Sequence, residues 1–346
     1  MSAKNILLVL TGGTICSFTN DNNERASDTK RAEALIVESF RRGESPFRSE
    51  ECVKFHSVSP LNILSENMNI GCWNTLIDEL KKYDYSAYDG VVVLHGTDTL
   101  AYTSALLSIL FAGADFPVFL VSSALPLTEE GTNGNANFRA AVELILGGIK
   151  PNIYTVYRNY EKSGAGDMYI HYASQLLQCE NYSTNFYSKD MTKIEESAPR
   201  FDGVDTKRGN IRLYSSPRLS DSVLKITPFV GINYDRYSLD GVSAVLHGTY
   251  HSSTLATDGE GASSALSLLD RCKEHKPPIP FFIEHCDADA YDYESTGRAL
   301  RAGALAVFGM TAEFTYVKLL YGASLGLCGG VLSDYMREEI NGEFIY

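Results

Sequence analysis

Short apolar runs that end in glycine- or hydroxyl-rich loops constrain the fold of this chain more than any other feature. Four of them lie in the first half of the sequence, at residues 6–10, 90–94, 117–121 and 153–157. Unbroken apolar runs are typical of strands buried on both faces, which occur in parallel sheets covered by helices. The segments between them fit helices, at residues 73–83, 99–112 and 137–146. The pattern predicts an α/β fold with helices on both faces of a parallel or mixed sheet.

A change in composition divides the chain, whose 346 residues suffice for about two domains. Between residues 187 and 222, charged residues, Ser, Pro and Gly replace the apolar runs, as is usual in a linker. Further strands are then predicted at 241–246 and 279–283, and helices at 262–275, 296–302 and 314–320. We therefore expect a larger N-terminal α/β domain, a linker and a smaller C-terminal α/β domain, at residues 1–190, 191–220 and 221–346.

The charge balance excludes several classes of partner. Lys and Arg number 30 against 43 Asp and Glu, a net charge of −13. The chain therefore lacks the positive field that attracts nucleic acid or an anionic membrane surface. No apolar run approaches the ~20 residues of a membrane-spanning helix. The seven cysteines are scattered and form no CxxC pair, which favours reduced thiols in the cytoplasm over a disulfide framework or a zinc site.

Ligands of open parallel sheets bind beyond the carboxyl ends of the strands, so the loops at those ends form the candidate site. Gly13 and Gly96 allow close approach of the backbone and offer N–H groups. Thr14 and Thr97 add hydroxyls, and Asp98 adds a carboxylate. Hydroxyls beside a proton acceptor and oxyanion-binding amides predict acyl transfer.

Simpler explanations compete with this chemistry. A threonine at the end of a strand often caps the next helix, which would account for Thr97 or Thr99. The Gly pair carries neither GxGxxG nor GxxxxGK[ST], and a polar loop at 17–23 follows it, so nucleotide binding is not favoured. His95 and His247 precede Gly-Thr at two predicted strand ends, where buried histidines with local hydrogen bonds are expected more than catalytic bases.

Two other features carry reactive side chains. Residues 284–294 are rich in acids that could bind a cation through oxygen. The spacing does not match an EF-hand, so a solvated acidic loop or a subunit contact is favoured and no metal site is predicted. Cys16, two residues after Thr14, fits an inert small side chain better than a thiol nucleophile.

Two motifs together resemble the signature sequences of bacterial-type L-asparaginases, namely LTGGTI at 10–15 and LHGTDT at 94–99. Other segments are similar to the cytoplasmic, type I form of the same family, at residues 65–69, 101–105, 293–303 and 310–319. The likeness runs from the first strand nearly to the end of the sequence. Either motif alone would be weak, but the pair is specific.

The resemblance implies the asparaginase fold and hydrolysis of the side-chain amide of asparagine, often with slower action on glutamine, without metal or cofactor. Thr14 matches the nucleophile that forms an acyl-enzyme. Thr97 matches the residue that positions water or the amide, and Asp98 matches a contact of the substrate α-amino group or the proton relay. It also implies self-association as a dimer or tetramer.

The resemblance also assigns residues that bind the substrate. Ser65 matches the residue that binds the substrate α-carboxylate, with help from Gly13 and Gly96. Glu66 stands where the family holds the α-amino group with other side chains. Ser123 lies in a loop, SSALP at 122–126, that replaces a family loop of different sequence.

The sequence departs from the family at two proton-handling positions. Residues 20–27 contain no tyrosine, although the family has one on a mobile lid. The family also has a lysine that contacts the second-motif Asp, whereas here Leu177 or Gln178 falls near that position and Lys162 lies one loop early. Candidate substitutes by location are His171, His251 and Tyr169.

These departures leave three hypotheses. The first is hydrolysis of asparagine through Thr14. The second is an amidase on another small ω-amide, glutamine or a modified amino acid, because the amino-group pocket around Glu66, Ala124 and His251 is rebuilt. The third is a relative that binds an amino acid without turnover. An amidotransferase subunit acting on tRNA is disfavoured by the acidic charge and by a first motif that starts at Thr11.

Overall fold

The apolar runs form two sheets, one in each half of the chain. The computed structural model describes residues 3–19, 24–161, 164–203, 209–259, 261–284 and 293–345. By its internal contacts the chain divides into unit 1, Met1–Ser216, and unit 2, Pro217–Tyr346. Most of segment 191–220, expected from its composition to be a linker, is therefore part of unit 1.

Unit 1 is built on a mixed seven-stranded sheet with the order β4-β1-β5-β6-β7-β8-β9. Neighbours from β4 to β7 run parallel, whereas β8 and β9 join antiparallel. A separate antiparallel hairpin consists of β2 and β3. The strands in chain order are β1 (Lys4–Leu10), β2 (Ser17–Thr19), β3 (Arg25–Ser27), β4 (Val53–Val58), β5 (Gly90–Leu94), β6 (Val118–Val121), β7 (Ile153–Glu161), β8 (Gly164–Tyr172) and β9 (Thr192–Ile194).

The helices of unit 1 pack their apolar residues against this sheet. They are α1 (Thr29–Arg42), α2 (Ile70–Leu80), α3 (Leu100–Leu110) and α4 (Gly134–Leu146). Side-chain oxygens of Asp28 and Asn69 accept from backbone N–H groups in the first turns of α1 and α2, which is the usual way a helix start is stabilised. All residues of α3 except Tyr102 are buried, as its almost uniformly apolar sequence predicts.

Unit 2 is a smaller, wholly parallel α/β unit. Its four strands lie in the order β10-β11-β12-β13. Its elements are β10 (Val223–Ile226), β11 (Ala244–His247), β12 (Phe281–Glu284), β13 (Leu305–Val307), α5 (Ala265–Glu274), α6 (Glu294–Arg301), α7 (Ala312–Ser324) and α8 (Gly329–Arg337). Its core includes Val245, Leu268 and Ile283, all fully buried.

The predicted fold class is confirmed: a larger α/β part with a mixed sheet is followed by a smaller α/β part. The sequence patterns did not predict α1, α8 or β8. They also assigned residues 17–19 to a polar loop, whereas these residues form β2, which pairs with β3 across a hairpin. None of the described helices is long and apolar enough to cross a membrane.

Candidate active site

The first two candidate loops leave neighbouring strands at the same level of the sheet. Strands β1 and β5 pair in parallel with Leu10 beside Leu94, their last residues. Thr11 then ties the two loops together, because its backbone N–H and its hydroxyl both donate to the carbonyl of Leu94, at 3.1 and 2.9 Å. The loops at 11–14 and 95–99 therefore start side by side.

A further loop after β4, at residues 62–69, runs alongside the loop at 11–14. The N–H of Gly13 donates to the carbonyl of Ile63 at 2.7 Å, and the N–H of Ile63 donates to the carbonyl of Thr11 at 3.2 Å. These bonds form a short parallel bridge between Gly12 and Ile63. They bring Ser65, two residues later, toward the Thr loops.

The absence of Cβ atoms allows the three loops to touch. Gly13 has φ 79°, a conformation that favours glycine. A Cβ atom at Gly13 would lie 2.1 Å from the Cα of Gly96, and one at Gly96 would lie 2.4 Å from the Cβ and Oγ of Ser65. Because these contacts are so close, the segments around Gly13, Ser65 and Gly96, which are distant in sequence, pack into one surface, here called the loop wall.

Thr14 and Thr97 directly follow Gly13 and Gly96, the two glycines that approach each other. Both residues are partly buried. In the ranges that the structure describes, neither hydroxyl makes a hydrogen bond, so neither caps a helix. Thr99 stands at the start of α3 but forms no side-chain cap; its hydroxyl donates instead to the carbonyl of Ser65 at 3.0 Å. The capping explanation therefore accounts for none of the three threonines.

Asp98 is held by Ser65. The hydroxyl of Ser65 donates to Oδ2 of Asp98 at 2.5 Å and accepts from the backbone N–H of Asp98 at 3.2 Å. Ser65 is buried and Asp98 is exposed. The Oδ2 atom of Asp98 is therefore fixed by a buried residue, while Asp98 remains accessible to solvent. This contact was not predicted, because sequence similarity assigned the Ser65 hydroxyl to the substrate.

The other two predicted binding residues differ in their surroundings. Glu66 is exposed, one residue after Ser65 in a short turn, Ser65–Asn67. Ser123 is fully buried, and its hydroxyl lies within 2.6–3.1 Å of the carbonyl of Leu125, the hydroxyl of Thr132 and Oδ1 of Asn133. Glu66 thus lies beside the loop wall, whereas the Ser123 hydroxyl makes its hydrogen bonds within its own loop.

His95, which directly follows β5, and His247, the last residue of β11, have local roles. Each Nδ1 lies beside the carbonyl of the next glycine, at 2.8 Å for His95 and 2.6 Å for His247. A carbonyl only accepts, so Nδ1 carries the proton in both rings. Burial lowers the pKa of each ring to about 4. Both are therefore neutral at pH 7, in agreement with the expectation of buried histidines with local hydrogen bonds.

The remaining residues considered as nucleophiles or proton-handling groups are Cys16, His171, His251 and Tyr169. Burial raises the pKa of the Cys16 thiol to about 12, which leaves no thiolate at neutral pH. Burial lowers the pKa of His171 to about 3, and its Nδ1 contacts the hydroxyl of Ser188 at 2.8 Å. His251 belongs to unit 2. Among the residues described, Tyr169 and His171 make no hydrogen bond or ion pair with Thr14, Thr97 or Asp98.

Parts of the sequence interpretation fall on residues that the structure does not describe. These are Lys162, positions 20–23 of the lid segment and positions 285–292 of the acidic stretch. Within the ranges described, no group of three or more His, Cys, Asp or Glu side chains is arranged to hold a metal ion.

The geometry defines the class of protein as an α/β protein whose strand-end loops bring glycines, hydroxyl-bearing residues and a carboxylate together at one edge of a parallel sheet. Comparison with known sequences then adds a family likeness. Residues 5–159 match the family model described as "Asparaginase, N-terminal", and along these residues the chain is similar to the asparaginase family.

Full-length relatives agree with this likeness. The chain is 29% identical to L-asparaginase of Thermococcus kodakarensis, covering 91% of this chain and 92% of that protein. It is 26% identical to L-asparaginase 1 of Escherichia coli K12, with 99% and 98% covered. The solved structure of the thermostable L-asparaginase from T. kodakarensis superposes with a TM-score of 0.75, at 23% identity and with 99% of both chains covered.

A second group of relatives carries a different name. A glutamyl-tRNA(Gln) amidotransferase component of Methanococcus maripaludis is 25% identical, with 92% of this chain and 75% of that protein covered. The family likeness therefore leaves the substrate open among amides.

Proposed function

We propose that this protein hydrolyses the side-chain amide of L-asparagine to L-aspartate and ammonia, with Thr14 as nucleophile. The observation that carries the proposal is the pair of hydroxyls, on Thr14 and Thr97, that make no hydrogen bond in the part of the chain described and lie on loops whose glycines touch. A ligand between them would meet both hydroxyls and several backbone N–H groups at once.

The proposed reaction has two steps. In the first, Oγ1 of Thr14 bonds to the amide carbon, the carbon–nitrogen bond breaks, and the threonine proton leaves on ammonia. In the second, water attacks the Thr14 ester, which releases the acid and restores the hydroxyl. N–H groups of the glycine loops would stabilise the oxyanion of each tetrahedral intermediate. Thr97 would position the water or the amide. No step requires a metal or cofactor.

Substrate binding is assigned to the same loops. Asp98 faces outward beside Thr97 and would pair with the substrate α-amino group, with Ser65 fixing its orientation. Gly13 and Gly96 would line the bound amide, and Glu66 lies at the rim. Ser123 would act by shaping its loop. The partner is thus a small amino-acid amide.

The test is ammonia release by the purified protein from asparagine, glutamine and a panel of other ω-amides, together with calorimetric binding of each. Ammonia from asparagine supports the proposal. Ammonia from another ω-amide alone would instead establish the second hypothesis, which the engaged Ser65 hydroxyl favours because it is less available to an α-carboxylate. Tight binding without product would identify a binding protein and reject hydrolysis.

Two further properties are part of the proposal. We infer a cytoplasmic location, supported by the free thiols of the six cysteines in the described ranges. We also infer self-association as a dimer or tetramer, as the family resemblance implies. Light scattering on the purified protein checks the second property, and a monomer at micromolar concentration would contradict it.

The glycine contacts give a sharp mutational prediction. Gly96→Ala should lower kcat/KM on the substrate by about 100-fold, because the new Cβ would push the wall apart and displace groups that must align. It should also lower the free energy of unfolding by roughly 1–3 kcal/mol through overpacking. Ammonia assays and urea denaturation measure the two effects. Gly209→Ala is the control, because its Cβ would meet no atom of the described residues within 4 Å; similar losses in both variants would contradict the argument.

A further inference from the structure

We propose that Gln178 is a positioning residue that, together with Ser65, holds the Thr97–Asp98 loop, an inference that rests on the proposed function. Its Nε2 donates to the backbone carbonyl of Thr97 at 2.7 Å. Its Oε1 accepts from the backbone N–H of Ala101 at 3.2 Å. The two partners also define the orientation of the amide, because a carbonyl only accepts and an N–H only donates.

Helix α3 needs this contact. The first N–H groups of a helix have no partner inside the helix and require an outside acceptor. Thr99, at the N-cap position, forms no side-chain cap, because its hydroxyl donates to Ser65. Gln178, 77 residues further along the chain, supplies the acceptor for Ala101 instead. One side chain therefore caps α3 and holds the loop that precedes it.

The loop is consequently held by two residues that bond to different atoms of it. Ser65 binds the side chain and N–H of Asp98, and Gln178 binds the carbonyl of Thr97. Both come from segments distant in sequence. The Thr97 hydroxyl and the Asp98 carboxylate thus depend on Gln178 for their placement, and Gln178 acts on them through its bonds to the backbone of Thr97 and Ala101.

The chemistry of the amide makes glutamine hard to replace. Glutamate can accept from Ala101 but cannot donate to Thr97, and lysine can donate to Thr97 but cannot accept from Ala101. Glutamate would also place its negative charge beside the Thr97 carbonyl. Leucine loses both bonds with little change of volume. The three substitutions therefore separate helix capping from loop placement.

The experiment compares Gln178→Glu, Gln178→Lys and Gln178→Leu with the wild-type protein by hydrogen exchange at the Ala101 amide and by kcat and KM. Ala101 protection should survive in the Glu variant and be lost in the Lys and Leu variants. The kcat should fall roughly 10- to 100-fold in the Glu and Leu variants, because placement of the reacting groups is lost, and less in the Lys variant, with KM little changed. If Gln178 had a purely structural role, protection of the Ala101 amide and kcat would fall together in every variant.

Asn185→Leu is the matched control. Its amide also bridges a backbone N–H and carbonyl, both of Tyr160, at 2.7 and 2.9 Å. It should leave kcat and Ala101 protection unchanged. Unchanged Ala101 exchange in Gln178→Leu, or an unchanged kcat in Gln178→Leu and Gln178→Glu, would overturn the proposal. A wild-type protein that releases no ammonia refutes the proposed function alone, and the exchange pattern then still decides whether Gln178 holds this loop.

Discussion

Thr14→Ala should reduce ammonia release from asparagine by about 1,000-fold or more, because it removes the atom that we propose forms the acyl-enzyme and leaves only binding and oxyanion contacts. The Thr14 hydroxyl makes no hydrogen bond within the described residues, so its loss breaks no contact there and the free energy of unfolding should change little. Steady-state ammonia assays and urea denaturation measure both quantities.

Two companion variants sharpen this test. Thr97→Val keeps the side-chain shape but removes the second hydroxyl, and it should lower kcat while leaving substrate affinity nearly intact. Thr75→Ala is the control, because among the described residues its exposed hydroxyl bonds only to the Gly71 carbonyl of its own helix. If Thr14→Ala retained the activity of Thr75→Ala, Thr14 would not be the nucleophile and the acyl-enzyme would have to be abandoned.

The core strands could be predicted because each buried strand corresponds to an unbroken run of apolar residues in the sequence. Residues 6–10 are fully buried, as are Val91 to Leu94 in β5. Both apolar runs directly predict strands of a parallel sheet. Helix α1 was missed although its buried residues Ala32, Ile36 and Phe40 follow a helical spacing, since many charged residues share the helix with them. Strand β9 has only three residues, too few for a periodic signal.

The candidate site was predictable only to the level of its loops. Glycines and hydroxyls at strand ends marked Thr14 and Thr97, because topology alone brings the ends of parallel neighbours together. The contacts of Ser65 with Asp98 and of Gln178 with Thr97 join segments 33 and 81 residues apart. Such pairings depend on how the chain returns to the sheet, and no local pattern encodes them. The family resemblance pointed to the right segment for Gln178 but not to its partners.

The largest stability effect is expected far from these loops in sequence, at a buried ion pair in unit 2. Nζ of Lys318 on α7 lies 2.8 Å from Oε1 of Glu343, and both side chains are fully buried. Lys318 also donates to the carbonyl of Glu338, while the Glu343 carboxylate accepts from the N–H groups of Ile340 and Asn341. The pair therefore ties the C-terminal segment to the core of unit 2.

Glu343→Gln should lower the free energy of unfolding by about 3–5 kcal/mol, because it leaves the Lys318 ammonium buried without its counter-charge. Hydrogen exchange of peptides from α7 and α8 measures the loss in unit 2, and fluorescence of Trp73, the single tryptophan of the chain, follows unit 1. Lys318→Met should cost a similar amount through the unpaired carboxylate.

The double variant, Lys318→Met with Glu343→Gln, distinguishes a charge pair from simple packing. With neither charge present, much of the stability should return, since the main cost of each single variant is an uncompensated buried charge. Lys273→Met is the control, because its partner Asp270 and Lys273 itself are about half exposed, and it should change the free energy of unfolding by less than about 1 kcal/mol. Strictly additive losses in the double variant would mean that Lys318 and Glu343 stabilise unit 2 independently, through packing and backbone capping.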